Sequence, residues 1–202
     1  MNLSVTYPIT EQFYTIQGEG YNSGMAAYFI RLAGCDVGCV WCDVKESWPI
    51  HQDQYQTVEQ LVQNVKDSGT NFVVITGGEP LMHNLDALTS ELNKLGVKIA
   101  LETSGAYPLS GTWHWICFSP KKFKKPLDEF YDKAHELKVV VFNQHDLKWA
   151  EEHTSKINKA CKLYLQPEWD REEEMLPQII NYVKANPKWK ISLQIHKYMA
   201  IP

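Results

Sequence analysis

Cys35, Cys39 and Cys42 fall within eight residues in the run GCDVGCVWCD. Three thiols at that spacing suggest a metal site that is one ligand short. A cubane of four irons and four sulfides is usually held by four cysteines; held by three, it leaves one iron open to another molecule. That iron would be where chemistry happens. Structural zinc is a second reading, because it uses close cysteine pairs and wants a fourth nitrogen or sulfur ligand. His51 or Cys117 could supply it. Unliganded or redox-active thiols are a third. A disulfide framework fits poorly, since five cysteines are an odd number and no secretory signal precedes them.

A second constellation follows. Phe72 to Thr76 read FVVIT, a β-branched run typical of a buried strand, and lead straight into Gly77-Gly78-Glu79-Pro80. Two glycines at a strand end let a ligand approach the backbone, although by itself the tetrapeptide is also an ordinary turn. The CxxxCxxC run, with Trp41 inside it, followed by a strand ending in GGEP, resembles the radical S-adenosylmethionine (SAM) superfamily. The resemblance implies that the three cysteines hold a 4Fe–4S cluster. It further implies that the amino and carboxylate groups of SAM chelate the open iron and that GGEP lies along the methionine amino group.

The chain of 202 residues is expected to form a single domain over residues 1–202, and 44% apolar residues can supply its core. The longest apolar stretch, Met25 to Ile30, is far too short to span a membrane. MNLSVTYPIT has neither a basic nor an apolar leader region, so a reducing, cytoplasmic setting with no membrane partner is expected. A net charge of −4 gives no general attraction to nucleic acid, and the basic run Lys121 to Lys125 (KKFKK) reads as a solvated face.

The elements that must position these residues alternate between strand and helix, without repeats or low-complexity linkers. Strand-like runs are Ala27–Leu32, Phe72–Ile75, Val97–Leu101, Trp115–Phe118, Leu137–Phe142, Leu163–Leu165 and Ile191–Ile195. Val58, Leu61, Val62 and Val65 mark one helix, with Thr57 and Gln60 as a capping box and Gly69 as its stop. Leu85, Leu88, Leu92 and Leu95 mark the next, ended by Gly96; weaker helical patterns cover Leu127–Glu136, Asp146–Lys159 and Glu172–Ala185. The stretch Glu102 to His114 is too short and too rich in Gly, Pro and Ser for a helix. Alternating β and α argues for a parallel sheet with right-handed crossovers. Seven strands fall short of eight, so the expected fold class is α/β, an incomplete, open parallel (β/α) barrel, which is also the usual radical SAM core.

Barrel enzymes place working residues at the C-terminal ends of the strands. The polar signals obey that rule: the cysteine loop, Gly77-Gly78-Glu79, Glu102-Thr103-Ser104-Gly105, Ser119-Pro120-Lys121 and Gln166-Pro167-Glu168 each follow a strand. Ile16-Gln17-Gly18-Glu19-Gly20 near the start, Arg31 four residues before Cys35, the SPK and QPE segments and the closing His196-Lys197…Pro202 together resemble the 7-carboxy-7-deazaguanine synthase family. The likeness runs from about Phe13 to the last residue.

Carried over, the resemblance implies cluster ligation by Cys35, Cys39 and Cys42. Trp41, Cys42, Asp43, Gly78, Ser104, Ser119, Pro120, Lys121, Gln166, Pro167 and Glu168 would contact the cofactor. Ile16, Gln17, Gly18, Glu19, Arg31, Thr76, His196 and Pro202 would hold the substrate, with Arg31 pairing with its carboxylate, Glu19 accepting from the pterin N–H edge, and the terminal carboxylate of Pro202 inside the pocket. Taken singly, Arg31 could instead be half of a barrel salt bridge and His196 a satisfied histidine, while Cys117 and Cys161 read as plain thiols.

The implied reaction converts 6-carboxy-5,6,7,8-tetrahydropterin to 7-carboxy-7-deazaguanine with loss of ammonia, toward queuosine and related 7-deazapurines. A 5′-deoxyadenosyl radical would abstract hydrogen from C6, with SAM regenerated. An electron donor such as flavodoxin or ferredoxin and a homodimeric state are also implied. Mg2+ is usual in the family, held partly by a Ser or Thr after Cys-Asp. Here Val44 follows Cys42-Asp43 and has no side-chain oxygen for a hard cation. An activating enzyme acting on a partner protein shares CxxxCxxC and GGEP and is the alternative.

Overall fold

The computed structural model describes residues 5–202; Met1–Ser4, the start of the segment expected to lack a leader, lie outside the described residues. Nine strands form one sheet: β1 (Thr6–Ile16), β2 (Ala26–Leu32), β3 (Tyr55–Thr57), β4 (Phe72–Gly77), β5 (Lys98–Thr103), β6 (Trp115–Phe118), β7 (Glu136–Val141), β8 (Lys162–Pro167) and β9 (Trp189–Ile191). Their order is β3-β1-β2-β4-β5-β6-β7-β8-β9. From β2 onward every pairing is parallel, whereas β1 runs antiparallel to both β2 and β3. The sheet curls without closing, as the expected open barrel does. The helices are α1 (Val58–Ser68), α2 (Asp86–Lys94), α3 (Glu129–Lys133), α4 (His145–Thr154), α5 (Glu172–Ala185) and α6 (Ile195–Met199). None of the described helices is long and apolar enough to cross a membrane.

Local chemistry explains the best-defined elements. In α1 the Thr57 hydroxyl accepts from the Gln60 N–H (3.2 Å) while the Gln60 side chain accepts from the Thr57 N–H (2.8 Å), so two otherwise unpaired donors are satisfied. Gly69, at φ 68°, takes the left-handed conformation that ends the helix. In β4, Val73 and Ile75 join the large core against the helices, while Phe72 and Val74 join a small interior cluster with Ala27 and Ala100. Both faces are covered, which is why this strand reads as continuous apolar sequence.

Several boundaries differ from the expectations. Two strands are added at one edge: β1 carries an irregularity between Ile9 and Glu11 that breaks its alternation, and β3 has only three residues. Ile191–Ile195 is not a strand; β9 stops at Ile191 and Ile195 opens α6. The helix expected over Leu127–Glu136 shrinks to α3, because Glu136 already belongs to β7, and α4 stops at Thr154. Leu95 caps α2 and is 37% exposed rather than inward.

The open side of the barrel is bridged by the β1–β2 connection. The Gly20 N–H donates to the Ser192 hydroxyl (2.9 Å), the Ile195 N–H donates to the Gly18 carbonyl (3.0 Å), and Tyr21 stacks on Trp115 with centroids 4.6 Å apart. A Cβ on Gly20 would lie 2.0 Å from Glu136 Oε1, and one on Gly18 would lie 2.1 Å from His196 Nδ1. The connection therefore packs tightly, with Gly18 against the His196 side chain beyond β9 and Gly20 against the Glu136 side chain at the start of β7.

Candidate active site

The cysteine loop leaves β2 and is pinned at its base. The Gly34 N–H donates to the Ser47 carbonyl (2.7 Å) and the Cys35 N–H to the Trp48 carbonyl (3.2 Å). The GGEP turn meets it directly, since the Glu79 N–H donates to the Gly34 carbonyl (2.8 Å) and a Cβ on Gly78 would lie 2.4 Å from that oxygen. Buried Glu79 ties the turn to the end of β5: its carboxylate accepts from Thr103 Oγ1 (2.6 Å), the Ser104 N–H (2.8 Å) and the Ser104 hydroxyl. Its charge is spent on the protein, so the backbone of Gly77 and Gly78 is what this motif presents to a ligand.

Cys35, Cys39 and Cys42 are free thiols lining one end of a cavity of about 270 Å³. Burial pushes the Cys35 thiol upward and Cys39 to about 11. Among the described residues no three His, Cys, Asp or Glu side chains are gathered to hold a single metal ion. A cubane instead distributes its ligands over separate irons. The fourth ligands considered for zinc lie elsewhere: His51 caps an exposed 3-10 turn and Cys117 is buried in β6, and neither lines the cavity.

Every site residue expected from the sequence lines this cavity except Pro120, which is buried behind the wall. Trp41, Lys121 and Ser119 stand beside the thiols. Lys121 Nζ donates to the Ser119 carbonyl (2.7 Å) and hydroxyl (2.6 Å) and lies 5.9 Å from the Trp41 ring centroid; burial lowers its pKa. Gln166, Pro167 and Glu168 form the facing wall. Glu168 Oε2 is buried without a partner, and burial raises that carboxyl's pKa, so the wall holds an acceptor open to a ligand donor.

At the other end Glu19 faces Lys138, on β7. Lys138 Nζ reaches Glu19 (2.5 Å) and Glu102 (3.0 Å), with side-chain exposure of 5%. Gln194 donates to Glu19 (2.9 Å) and Asp43 (3.3 Å), and Lys197 donates to Asp43 (2.8 Å). Burial works against the Glu19 charge, but Lys138 and Gln194 hold its carboxyl down at about 2. Burial also opposes the Lys138 charge, yet Cys117, Glu102, Glu19 and Glu136 around it keep its pKa well above that of a free lysine. Arg31 spends Nε on Glu11 (2.5 Å), as the salt-bridge reading supposed, and still lines the cavity. Burial lowers the pKa of His196, which rests on Gly18. Pro202 lines the cavity and its carbonyl accepts from Thr15 (3.2 Å).

Lys138 and Gln194 were missed by the sequence motifs, and Glu102 was read only as part of the rim segment Glu102–Gly105. Lys138 did leave a signal, a lone cation in the otherwise apolar strand LKVVV. One pH effect follows from the layer beneath. Glu136 accepts from the Trp115 indole (3.1 Å) and the Tyr21 N–H (3.1 Å), its other oxygen has no partner, and burial pushes its carboxyl up to about 7. A raised acid keeps its proton in the folded state after the unfolded chain has lost it, so stability falls as pH rises from about 4.5 to about 7. Glu136→Gln is expected to remove that fall, gaining stability over wild type by up to a few kcal/mol at pH 8 and little at pH 4. Urea unfolding across that range checks it; a constant difference between the two proteins would refute it.

A model of the radical SAM superfamily matches residues 29–143, the span from β2 through the cysteine loop and GGEP to the end of β7. The chain belongs to that superfamily, and its relatives narrow the placement. It is 52% identical to 7-carboxy-7-deazaguanine synthase of Flavobacterium psychrophilum over 195 residues, covering 96% of this chain and 92% of the relative. It is 49% identical to the enzyme of that name from Synechocystis, covering 98% and 95%. The crystal structure of QueE from Escherichia coli superimposes with a TM-score of 0.84 at 32% identity, covering 93% of each chain. The chain belongs to the 7-carboxy-7-deazaguanine synthase family.

Proposed function

We propose that this protein is a radical SAM lyase that converts 6-carboxy-5,6,7,8-tetrahydropterin to 7-carboxy-7-deazaguanine and ammonia. The observation that carries the reading is one cavity with three free thiols at one end and a ring of polar groups, buried Gln17 and half-buried Glu19, Arg31 and His196, at the other. The donor set fits a 4Fe–4S cluster and SAM, with three sulfurs, the cavity-lining backbone of Gly77 and Gly78, and the unpaired acceptor of Glu168. Cys35, Cys39 and Cys42 would hold the cluster, and Ser104, Ser119, Lys121 and the Gln166–Glu168 wall would hold SAM. Bound there, the pair supplies one-electron cleavage of a sulfonium and, through it, hydrogen abstraction.

The protein's own part is orientation. Phe13 and Phe29 stack at 5.3 Å on the cavity wall and offer flat apolar surface to a pterin ring. The terminal nitrogens of Arg31, free of the Glu11 bond, can take the substrate carboxylate as a fork. Glu19, kept ionised by Lys138, can accept from the pterin N–H edge with lone pairs its present partners leave open.

The residues do not fit magnesium at the family's position. Val44 offers no side-chain oxygen, its carbonyl accepts from Ser47, and Asp43 Oδ2 is shared by Gln194 and Lys197. Turnover is therefore expected to survive removal of divalent cations, while Val44→Thr should gain Mn2+ binding detectable by electron paramagnetic resonance. Stoichiometric Mn2+ on wild type with SAM and substrate present would contradict this.

A protein electron donor, a reducing cytoplasmic setting that keeps the thiols free, and a homodimer complete the reading. Exposed Tyr14 and Tyr55, on β1 and β3, offer a second copy an apolar surface at that sheet edge. The test is anaerobic reconstitution with iron and sulfide, then incubation with SAM, dithionite and the tetrahydropterin. About four irons and four sulfides per chain and a deazapurine product are expected. Stoichiometric zinc without sulfide, or SAM cleavage with no pterin product, would overturn the proposal.

A further inference from the structure

The basic run Lys121–Lys125 is not a free solvated face. Lys124 Nζ binds both oxygens of Asp36, at 2.8 and 2.7 Å, and Asp36 sits between Cys35 and Val37 in the cysteine loop. Phe123 meets the edge of Trp41 with centroids 6.1 Å apart, and Trp41 and Lys121 line the cavity with the thiols. Two apolar side chains here are open to solvent: Phe123 is 42% exposed, and Val40, next to Trp41 in the chain, 67%. Beside it lies a second hollow that shares Lys121 and is lined by Trp149 and Tyr131, by Lys122, Lys125 and Lys156, and by one exposed carboxylate, Glu152, so cations still outnumber it. Lys122 and Lys156 each stand 5.3 Å from one of those rings. Lys122 also pairs with Asp146, whereas Lys125 has no ion-pair or hydrogen-bond partner among the described residues.

A basic, partly apolar face on a chain of net charge −4 therefore backs directly onto the loop that carries the three thiols. We infer that this face, the exposed Val40 and Phe123 together with the neighbouring hollow lined by Lys122, Lys125 and Lys156, is the docking surface of an acidic one-electron carrier protein. The inference rests on the proposed function, because the cluster is what such a partner would serve. In the step itself the carrier loses one electron and the cluster gains one; no bond is made and no proton need move. Complementary charge would speed encounter and set orientation, and the exposed Val40 and Phe123 would supply apolar contact.

The test compares wild type with Lys125→Glu/Lys156→Glu and with Lys66→Glu/Lys184→Glu, a control with the same charge change on α1 and α5. Reduced flavodoxin, an acidic flavin carrier, is the probe, and dithionite is the reductant that needs no docking. At low salt the first variant is expected to raise the KM for flavodoxin about tenfold or more and to lose the salt dependence of wild type. Its dithionite-driven turnover and the control variant should match wild type. An unchanged KM, or an equal loss with dithionite, would overturn the inference. Calorimetric titration with oxidised flavodoxin needs no turnover and separates this inference from the proposed reaction. Binding weakened about tenfold in the first variant alone supports the surface even if no deazapurine forms, and equal binding in all three proteins removes it.

Discussion

Alanine at Cys35, Cys39 or Cys42 is expected to abolish SAM cleavage, whereas alanine at Cys117 or Cys161 is expected to leave it intact. The five thiols are all free, and position separates them. The first three line the cavity beside Gly78 and Lys121. Cys117 is 1% exposed within β6, where burial drives its thiol well above the usual range. Cys161 packs before β8, and burial pushes it up to about 12. Burial raises Cys35 and Cys39 too, so it is place that decides: neither Cys117 nor Cys161 lines the cavity. Cys117→Ala should cost about 1–2 kcal/mol of core packing and no iron. Iron and sulfide analysis with chromatographic detection of 5′-deoxyadenosine decides the matter. Full iron content in a Cys39→Ala protein, or its loss from Cys161→Ala, would refute the assignment.

Removing the ammonium of Lys138 should have the next largest effect. Lys138→Met leaves the half-buried Glu19 and Glu102 facing each other without the buried cation they share, and breaking a buried ion pair in this way costs about 3–5 kcal/mol. The pH dependence identifies the cause. With Glu19 held at about 2 against an ordinary 4.5, its contribution to stability is complete above about pH 4.5 and is lost as pH falls toward 2. The gap between wild type and Lys138→Met should therefore be widest near neutrality and narrow on acidification, when Glu19 takes up a proton. Deazapurine formation should fall with it, and Lys138→Met/Glu19→Gln should recover part of the stability but not the activity. Denaturant unfolding from pH 3 to 8 checks the first part. A gap that does not change with pH would mean that packing, not charge, sets the loss.

What could be read from the sequence was what local chemistry decides. The capping box of α1, the β-branched run of β4 and the rim position of GGEP need only their neighbours in the chain. So does the cysteine loop, whose spacing alone left zinc open until the structure moved His51 and Cys117 away from it. The substrate end was harder because long-range pairs define it. ISLQI over 191–195 alternates like a strand, yet Ser192 bonds Gln166 (2.7 Å) and Gln194 bonds Glu19, contacts with no trace in the pattern. For Arg31 the structure shows the salt bridge, and its partner Glu11 is on β1, a strand hidden by its own irregular register.

The bridge across the open barrel also bears on the order in which the protein is made. Gly20 and Ser192 are 172 residues apart, and Glu19 and Gln194 are 175. At the usual ~5–20 residues per second of synthesis, the β1–β2 connection waits about 9–35 s for the segment that holds it. Throughout that interval the cysteine loop, β2 and β4 can pair, because their contacts are made early in the chain. The thiols are therefore gathered on the ribosome long before the pocket meant to confine their chemistry exists. A nascent chain arrested shortly before Ser192 offers a half-built site with three exposed sulfurs, and it is at that stage, rather than in the finished protein, that they are most open to oxidation.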